Sequence, residues 1–224
     1  MDTARRAPRL ALVAALLASG APTAQAEIAL YETGPAEDAA FLRFVDAAGV
    51  PLEAVAAGGK SRSPLDAANP ATAFYPVKAR TDIRGDLVAG ATRAPIDLQV
   101  APGEFVTVVA VPGSGGTPGV VVVREKPTDF NAAKASVALV SLDPTCTAAG
   151  LKVADRAVAL VENVPTGQVA RRSINPVPLK VRLVCGGAER GEPLDLGTLA
   201  PGARYTVFAP PGGRPFAVTD RTGR

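Results

Sequence analysis

The chain has 224 residues, with 24 lysines and arginines against 21 aspartates and glutamates, two cysteines, and neither histidine nor tryptophan. Because histidine is absent, the sequence excludes Ser-His-Asp and Cys-His hydrolases and any zinc site with histidine ligands. Hydrophobic residues make up 47% of the chain and charged residues 20%, which favours a folded core over disorder.

Residues 1–26 have the features of a cleaved secretory signal peptide. Three arginines before residue 10 precede an apolar stretch at 10–18, and Ala24-Gln25-Ala26 fits the small-x-small cleavage pattern. The apolar stretch is shorter than a membrane-spanning helix requires, so we expect export to the periplasm without a transmembrane anchor. Cleavage leaves 21 basic against 20 acidic residues, and a chain so close to neutral is not expected to bind nucleic acid.

The mature chain carries strand signals almost throughout and almost no amphipathic-helix signal. Apolar runs alternate with breaks rich in the 22 glycines and 21 prolines, which is typical of antiparallel sheets joined by turns. The predicted strands are Phe41–Val45, Ile96–Val100, Glu104–Val111, Val120–Glu125, Ser136–Leu142, Arg156–Val164, Leu179–Cys185, Arg204–Ala209 and Pro215–Thr219.

An internal echo predicts two similar domains. The stretch from Val100 to Gly113 returns 99 residues later, with Ala-Pro-Gly, Thr-Val, Ala and Pro-Gly in register. Each copy is predicted to form a Pro-Gly turn followed by a strand, and the spacing matches one immunoglobulin-sized sandwich. We therefore predict an all-β fold of two tandem antiparallel, immunoglobulin-like β-sandwiches, at 27–126 and 135–224, with a linker at 127–134. Chance recurrence of common Pro-Gly turns is the alternative.

The two cysteines, Cys146 and Cys185, are predicted to form a disulfide, because an exported chain meets an oxidising compartment. The strand that ends at Cys185 alternates so that Leu179, Val181, Leu183 and Cys185 share one face, which we expect to point inward. There is no Cys-x-x-Cys motif, so a structural bridge is favoured over a redox site.

No motif predicts catalysis, a cofactor or a metal. Gly58-Gly59-Lys60-Ser61 resembles the end of a phosphate-binding loop, but Ala54 stands where that motif needs its first glycine. The acidic residues are scattered, and two cysteines alone cannot complete a tetrahedral thiolate site. We therefore expect no catalytic, cofactor-binding or metal-ligating residue and a protein that is not an enzyme.

A candidate docking segment precedes the strand that ends at Cys185. Two adjacent cations, an apolar residue and an amide occur together, and the proline that follows restricts the backbone. We therefore expect a pre-ordered loop in which Arg171, Arg172, Ile174, Asn175 and Pro176 meet a partner. The alternative is a simple turn into the next strand with solvated arginines.

A series of short landmarks resembles the family of the periplasmic alginate O-acetylation protein AlgF. The landmarks follow the family order across nearly the whole mature chain. They are Leu30-Tyr31, Ala40-Phe41-Leu42-Arg43-Phe44-Val45, Gly59-Lys60 and Ile174-Asn175-Pro176-Val177.

The resemblance implies a non-catalytic accessory protein in O-acetylation of alginate or a similar exopolysaccharide. Its implied partners are periplasmic and membrane-associated O-acetyltransferases, together with the polysaccharide itself as a further candidate. Two other functions stay open. One is a two-domain periplasmic chaperone for surface fibres, which would need a long exposed edge strand. The other is a carbohydrate-binding module, for which the sequence offers no tryptophan and only three tyrosines.

Overall fold

The structure, a computed structural model, describes residues 39–59, 61–129, 131–156 and 158–223, and the expected signal peptide lies outside them. Strands account for most of the described residues, with a single 3₁₀ turn at Ser114–Gly116. The strands are β1 Ala39–Asp46, β2 Leu52–Ala56, β3 Arg62–Leu65, β4 Tyr75–Lys78, β5 Asp82–Ala89, β6 Thr92–Gln99, β7 Phe105–Val111, β8 Gly119–Glu125, β9 Ala135–Ser141, β10 Ala149–Val153, β11 Ala159–Val164, β12 Val169–Ile174, β13 Pro178–Cys185, β14 Ala188–Thr198, β15 Arg204–Ala209 and β16 Phe216–Thr219.

These strands form four sheets, two in each half of the chain. Sheet I has the order β3-β2-β5-β6 and sheet II the order β4-β1-β7-β8, whereas sheet III is β12-β9-β15-β16 and sheet IV is β11-β10-β13-β14. Adding eight to each strand number of the first half reproduces the second, so the two halves share one topology. Strand β1 pairs in parallel with β7, as β9 does with β15, and the other pairings are antiparallel. The prediction of two tandem β-sandwiches is confirmed.

Three apolar clusters hold the sheets together. One lies between sheets I and II and another between sheets III and IV, as expected for two sandwiches. The third takes side chains from both halves and lies between sheets II and III. Its buried members are Val45, Ala47, Val109, Val123, Val140, Leu142 and Phe208.

The third cluster explains the two most apolar strands of the chain. In β7, Val108 belongs to the first sandwich core while its neighbour Val109 faces the other half. In β9, likewise, Leu139 belongs to the second sandwich core and Val140 faces the first half. A strand covered on both faces has no solvent side, so it reads as a continuous apolar run instead of an alternating one.

The echo in the sequence corresponds to two equivalent turns. Gly103 and Gly202 have φ of 70° and 71°, and the preceding prolines occupy the position that proline favours in such turns. The amide of Gly103 donates to the carbonyl of Ala39 at 2.8 Å, and that of Gly202 donates to Lys134 at 2.8 Å. The first turn is therefore tied to the first residue of β1, and the second to the residue just before β9.

Several strands of the structure were not predicted from the sequence. Most of them are short or carry polar residues on both faces, so they lack the alternation that marks a half-buried strand. The missing strands are β2, β3, β4, β5, β10, β12 and β14. The described part of the expected linker, residues 127–129 and 131–134, forms no strand. The exact domain limits at 27–126 and 135–224 stay a prediction.

Candidate functional site

Within the described residues, a cluster of charged side chains with little exposure lies between sheets II and III. Arg43 extends from β1 in the first half, and its side chain is only 3% exposed. Its Nη1 donates to Asp220 Oδ1 of the second half at 2.7 Å. Its Nε donates to Thr107 Oγ1 at 3.0 Å and its Nη2 donates to Thr206 Oγ1 at 3.2 Å. One guanidinium thus joins both sandwiches.

Arg171 makes a second ion pair across the same interface, in the opposite direction. It extends from β12 in the second half. Its Nε donates to Glu125 Oε1 of the first half at 2.5 Å, and its Nη2 donates to Glu125 Oε2 at 3.0 Å. The same Nη2 donates to Asp220 Oδ2 at 2.8 Å. Arg204 adds a longer contact to Glu125 Oε1 at 3.3 Å. We call Arg43, Glu125, Arg171 and Asp220 the inter-sandwich clamp.

The electrostatics of the clamp keep Asp220 ionised. Burial by itself raises the pKa of this carboxyl group, but the charges of Arg43 and Arg171 outweigh burial and lower the pKa below its usual value. For Arg171, burial lowers the pKa, and the bonds to Glu125 and Asp220 more than reverse that effect. The clamp therefore consists of charged groups that compensate one another inside the protein.

The clamp also follows the internal repeat. Thr107 and Thr206 come from the same Thr-Val echo, and both approach Arg43. Glu125 pairs with Phe105 at the end of sheet II, and the Asp220 amide bonds the Arg204 carbonyl at the matching end of sheet III. The two acids thus occupy corresponding places in the two halves.

The segment after β16 reinforces the interface. The amide of Phe74 donates to the carbonyl of Arg221 at 2.7 Å, and the amide of Gly223 donates to the carbonyl of Phe74 at 2.8 Å. The ring of Phe74 in turn lies 4.2 Å from the Arg43 guanidinium carbon, which is a cation–π contact. Backbone and side chains of the second half therefore bind the first half at one place.

The predicted docking segment is not a loop. Arg171, Arg172 and Ile174 lie in β12, and only Asn175 and Pro176 form the turn that follows. The loop prediction was wrong because β12 gains its regularity from pairing with the wholly buried β9, which its own polar sequence does not reveal.

The members of that segment have different surroundings. Arg171 belongs to the clamp, and Arg172 Nη1 donates to the carbonyl of Ala159 at 3.2 Å. Ile174 packs on the second sandwich core, and the amide oxygen of Asn175 accepts a bond from Lys134. Their docking role stays a prediction.

The two cysteines form the predicted disulfide. Cys146 and Cys185 have Cα atoms 5.4 Å apart, and both pack with the second sandwich core. Leu179, Val181 and Leu183 contact the same core, so the predicted inward face of β13 is confirmed. A disulfide indicates an oxidising, extracytoplasmic environment.

Several open cavities lie outside the clamp, among them a groove in the first half and a cavity in the second. A groove of about 440 Å³ opens between sheets I and II and is lined by core residues such as Leu42, Phe44 and Ile96. A second cavity of about 770 Å³ lies at one end of the second sandwich, where Val158 and Val177 are 49% and 43% exposed. We call these the first-half groove and the second-half end cavity.

The sequence alone does not reveal the clamp. Arg43 interrupts an apolar run in the sequence, and a charge at that place is a signal of a buried partner. Nothing in the sequence pairs Arg43 with Asp220, which lies 177 residues away. Within the described ranges, no helix is long and apolar enough to cross a membrane, and no three acidic or cysteine side chains are grouped as metal ligands.

Comparison with known proteins does not assign a family. No family model matches the chain, and no curated protein matches it. One similar solved structure is described as a "putative cell adhesion protein" from Bacteroides fragilis. It is 10% identical, the match covers 78% of this chain and 83% of that chain, and the TM-score is 0.24. A similarity of this size carries no argument about function.

Proposed function

We propose that the protein is a rigid, non-catalytic adaptor of the periplasm that brings polysaccharide O-acetyltransferases together. The observation that carries the proposal is the inter-sandwich clamp, which joins two β-sandwiches through one buried and one partly buried ion pair and a shared apolar core. A shared core opposes hinge motion, so surfaces on the two halves keep a constant separation. Constant geometry suits a protein that positions two partners.

The chemistry of the chain supports an accessory role. Acyl transfer to a sugar hydroxyl group needs a general base, and histidine, the usual base, is absent from the sequence. In this proposal the partner enzymes supply the catalytic groups. The landmarks that resemble the AlgF family suggest O-acetylation of alginate or a similar exopolysaccharide as the process.

The second-half end cavity is the docking surface that we assign to an acetyltransferase partner. It adjoins the turn at Asn175-Pro176, and its two exposed valines, Val158 and Val177, offer apolar area that a partner can bury. Lysine and arginine as well as aspartate line the same cavity, so its rim can also form polar contacts.

The test is affinity purification of a tagged protein from its native host, with measurement of O-acetyl groups on the exported polysaccharide. We expect an acetyltransferase to co-purify with the parent protein. With the double variant Val158→Asp/Val177→Asp, the amount of acetyltransferase recovered should be at least tenfold lower. The matched control is Val50→Asp, which alters a valine in the first half that is also 43% exposed.

Deletion of the protein should lower acetylation while polymer is still made. Recovery of fibre subunits instead of an acetyltransferase would favour the chaperone, and recovery of glycan alone would favour the binding module. If the double variant and the Val50→Asp control recover equal amounts of acetyltransferase, the second-half end cavity is not the docking surface.

A further inference from the structure

The edges of the described sheets differ in how they are protected against pairing with another chain. An edge strand presents a row of unpaired amides and carbonyls, and a proline there removes a donor and discourages a further strand from pairing. Four edge strands of the described sheets contain a proline, namely β3, β4, β6 and β14. These prolines are Pro64, Pro76, Pro95 and Pro193.

Three further edge strands are protected by their surroundings. Strands β11 and β12 lie beside each other, and Arg172 of β12 donates to the carbonyl of Ala159 in β11 at 3.2 Å. Strand β16 has only 4 residues and directly follows Pro215. The carbonyl of Arg221, just after β16, accepts a bond from the amide of Phe74 at 2.7 Å. Among the edges of the described sheets, β8 is left without such protection.

Strand β8 is regular and apolar. Its sequence is Gly-Val-Val-Val-Val-Arg-Glu, and valine favours the extended backbone of a strand. The valines at 120–122 are half-buried. Arg124 donates to Glu104 and to the carbonyl of Gln99, each at 2.9 Å, so its charge is held by its own chain.

The pairing of β7 determines which backbone groups of β8 face outward. The amide of Phe41 in β1 donates to the carbonyl of Glu104 at 2.8 Å, so the even-numbered residues of β7 direct their backbone groups to β1. The odd-numbered residues of β7 lie opposite odd-numbered residues of β8 and bond them. The amides and carbonyls of Val120 and Val122 therefore point to the free edge of sheet II.

The internal repeat offers a direct comparison for this edge. Glu125 and Asp220 occupy corresponding places in the two halves, at the ends of sheets II and III. Five residues before them stand Val120 in the first half and Pro215 in the second. The second half thus has a proline at the place where the first half has an outward amide donor.

The sequence of β8 can pair with itself in an antiparallel arrangement. When Val122 faces its counterpart in a second copy, Arg124 lies opposite Val120. Glu125 then lies opposite Gly119, so no like charges meet. A parallel arrangement would instead place the two copies of Arg124 opposite each other. The formal net charge of the chain is only +3, which adds little long-range repulsion between copies.

We propose that two copies of this chain form a dimer through antiparallel pairing of their β8 strands. The pairing joins the two copies of sheet II into one continuous sheet, held by backbone hydrogen bonds from Val120 and Val122. Because the other edges of the described sheets are protected, such a contact uses β8 on both sides, is two-fold symmetric and ends at a dimer. The dimer uses neither the clamp nor the second-half end cavity, so its failure would leave the adaptor role unaffected.

The test is sedimentation equilibrium of the purified protein from micromolar to millimolar concentration. We expect reversible association that reaches the mass of a dimer and goes no further. A monomer throughout this range, or growth beyond a dimer, would overturn the proposal.

A proline variant locates the contact on β8. Val122→Pro removes an outward amide and leaves the bonds between β8 and β7 in place, so it should weaken dimer formation at least tenfold. The matched control is Ala217→Pro in β16. The amide of Asp220 donates to Arg204, so even-numbered residues of β16 bond β15 and Ala217 faces outward at the place corresponding to Val122. This control should dimerise like the parent chain, and equal dissociation constants for the two variants would contradict the assignment.

Amide hydrogen exchange gives a measurement that needs no variant. The amides of Val121 and Val123 bond β7 within one chain, so they should be protected at every concentration. Those of Val120 and Val122 should exchange at least tenfold more slowly where the dimer forms than in dilute solution. Exchange at these two amides that is independent of concentration would refute the pairing. Protection that appears only when an acetyltransferase is added would assign the edge to that enzyme and would equally refute pairing between copies.

Discussion

At the scale of single residues, the most consequential feature is the pairing of Arg43 with Asp220. Both side chains are at most 5% exposed, so neither charge has water as an alternative partner. Such a pair adds little net stability compared with a well-packed apolar pair, but loss of one partner leaves an uncompensated buried charge. The stability of the whole protein is therefore sensitive to either residue.

Replacement Asp220→Asn is expected to lower the free energy of unfolding by about 3–5 kcal/mol, because Arg43 and Arg171 both lose a charged partner. The matched control is Asp195→Asn, at an exposed pair with Lys180, where we expect a loss below about 1 kcal/mol. Urea denaturation at pH 7 measures both. Similar small losses in the two variants would show that the clamp is not energetically important.

The stability difference between the parent chain and Asp220→Asn is expected to decrease at low pH. The pKa of Asp220 is lower in the folded protein than its usual value, so the folded state favours the charged form. Its contribution is complete above the unfolded-state pKa of about 3.9 and is lost as the pH falls through the folded-state pKa. The gap between the parent chain and Asp220→Asn should thus narrow below about pH 4.

At the scale of strands and sheets, the alternation of β13 and the disulfide at its end both fix the same face of this strand to the second sandwich core. Its alternating side chains face the second sandwich core, and Cys185 at its end reaches Cys146 in the segment before β10. Strand β14, by contrast, is long, polar and at the edge of sheet IV. Its charges and its proline at 193 are features that discourage pairing with another chain.

The double variant Cys146→Ala/Cys185→Ala is expected to lose about 4 kcal/mol of stability, because the bridge closes a loop between cysteines 39 residues apart. The melting temperature should fall, and a reductant should lower that of the parent chain but leave the variant unchanged. The intact mass of the native protein should be lower than that of the dithiol by the mass of two hydrogen atoms. Two alkylatable thiols in the native protein would contradict the bridge.

At the scale of the whole molecule, the two sandwiches share one interface core. Phe208 is fully buried there, and its ring stacks on Phe216 with centroids 5.3 Å apart. Because Val45 and Val109 of the first half pack in the same cluster, neither half completes its burial alone. We therefore expect the described halves to unfold as one unit.

Calorimetry of the parent chain should show a single transition with equal calorimetric and van't Hoff enthalpies. Phe208→Ala should lower the free energy of unfolding by about 3–5 kcal/mol, because it leaves a cavity between the sheets. The control Val50→Ala, at an exposed valine, should change it by less than about 0.5 kcal/mol. Two separate transitions in the parent chain would show that the halves are independent.

The sequence alone determined the all-β class, the duplicated architecture and the disulfide. Alternation, Pro-Gly turns and a short motif that recurs after 99 residues are signals in the sequence itself, and they do not depend on how distant parts of the chain pack. The same signals located β7, β9, β13 and β15 because these strands are apolar enough to be recognised by themselves.

Only the tertiary structure decided which faces of the sandwiches meet and which charges they bury. Arg43 and Asp220 are 177 residues apart, and neither carries a local signal for the other. The sequence predicted that Arg171 lies in a loop that meets a partner, yet the pairing of β12 with β9 brings it beside Glu125 and Asp220. Such placements depend on the packing of sheet II on sheet III, which is a property of the assembled fold and not of any one segment.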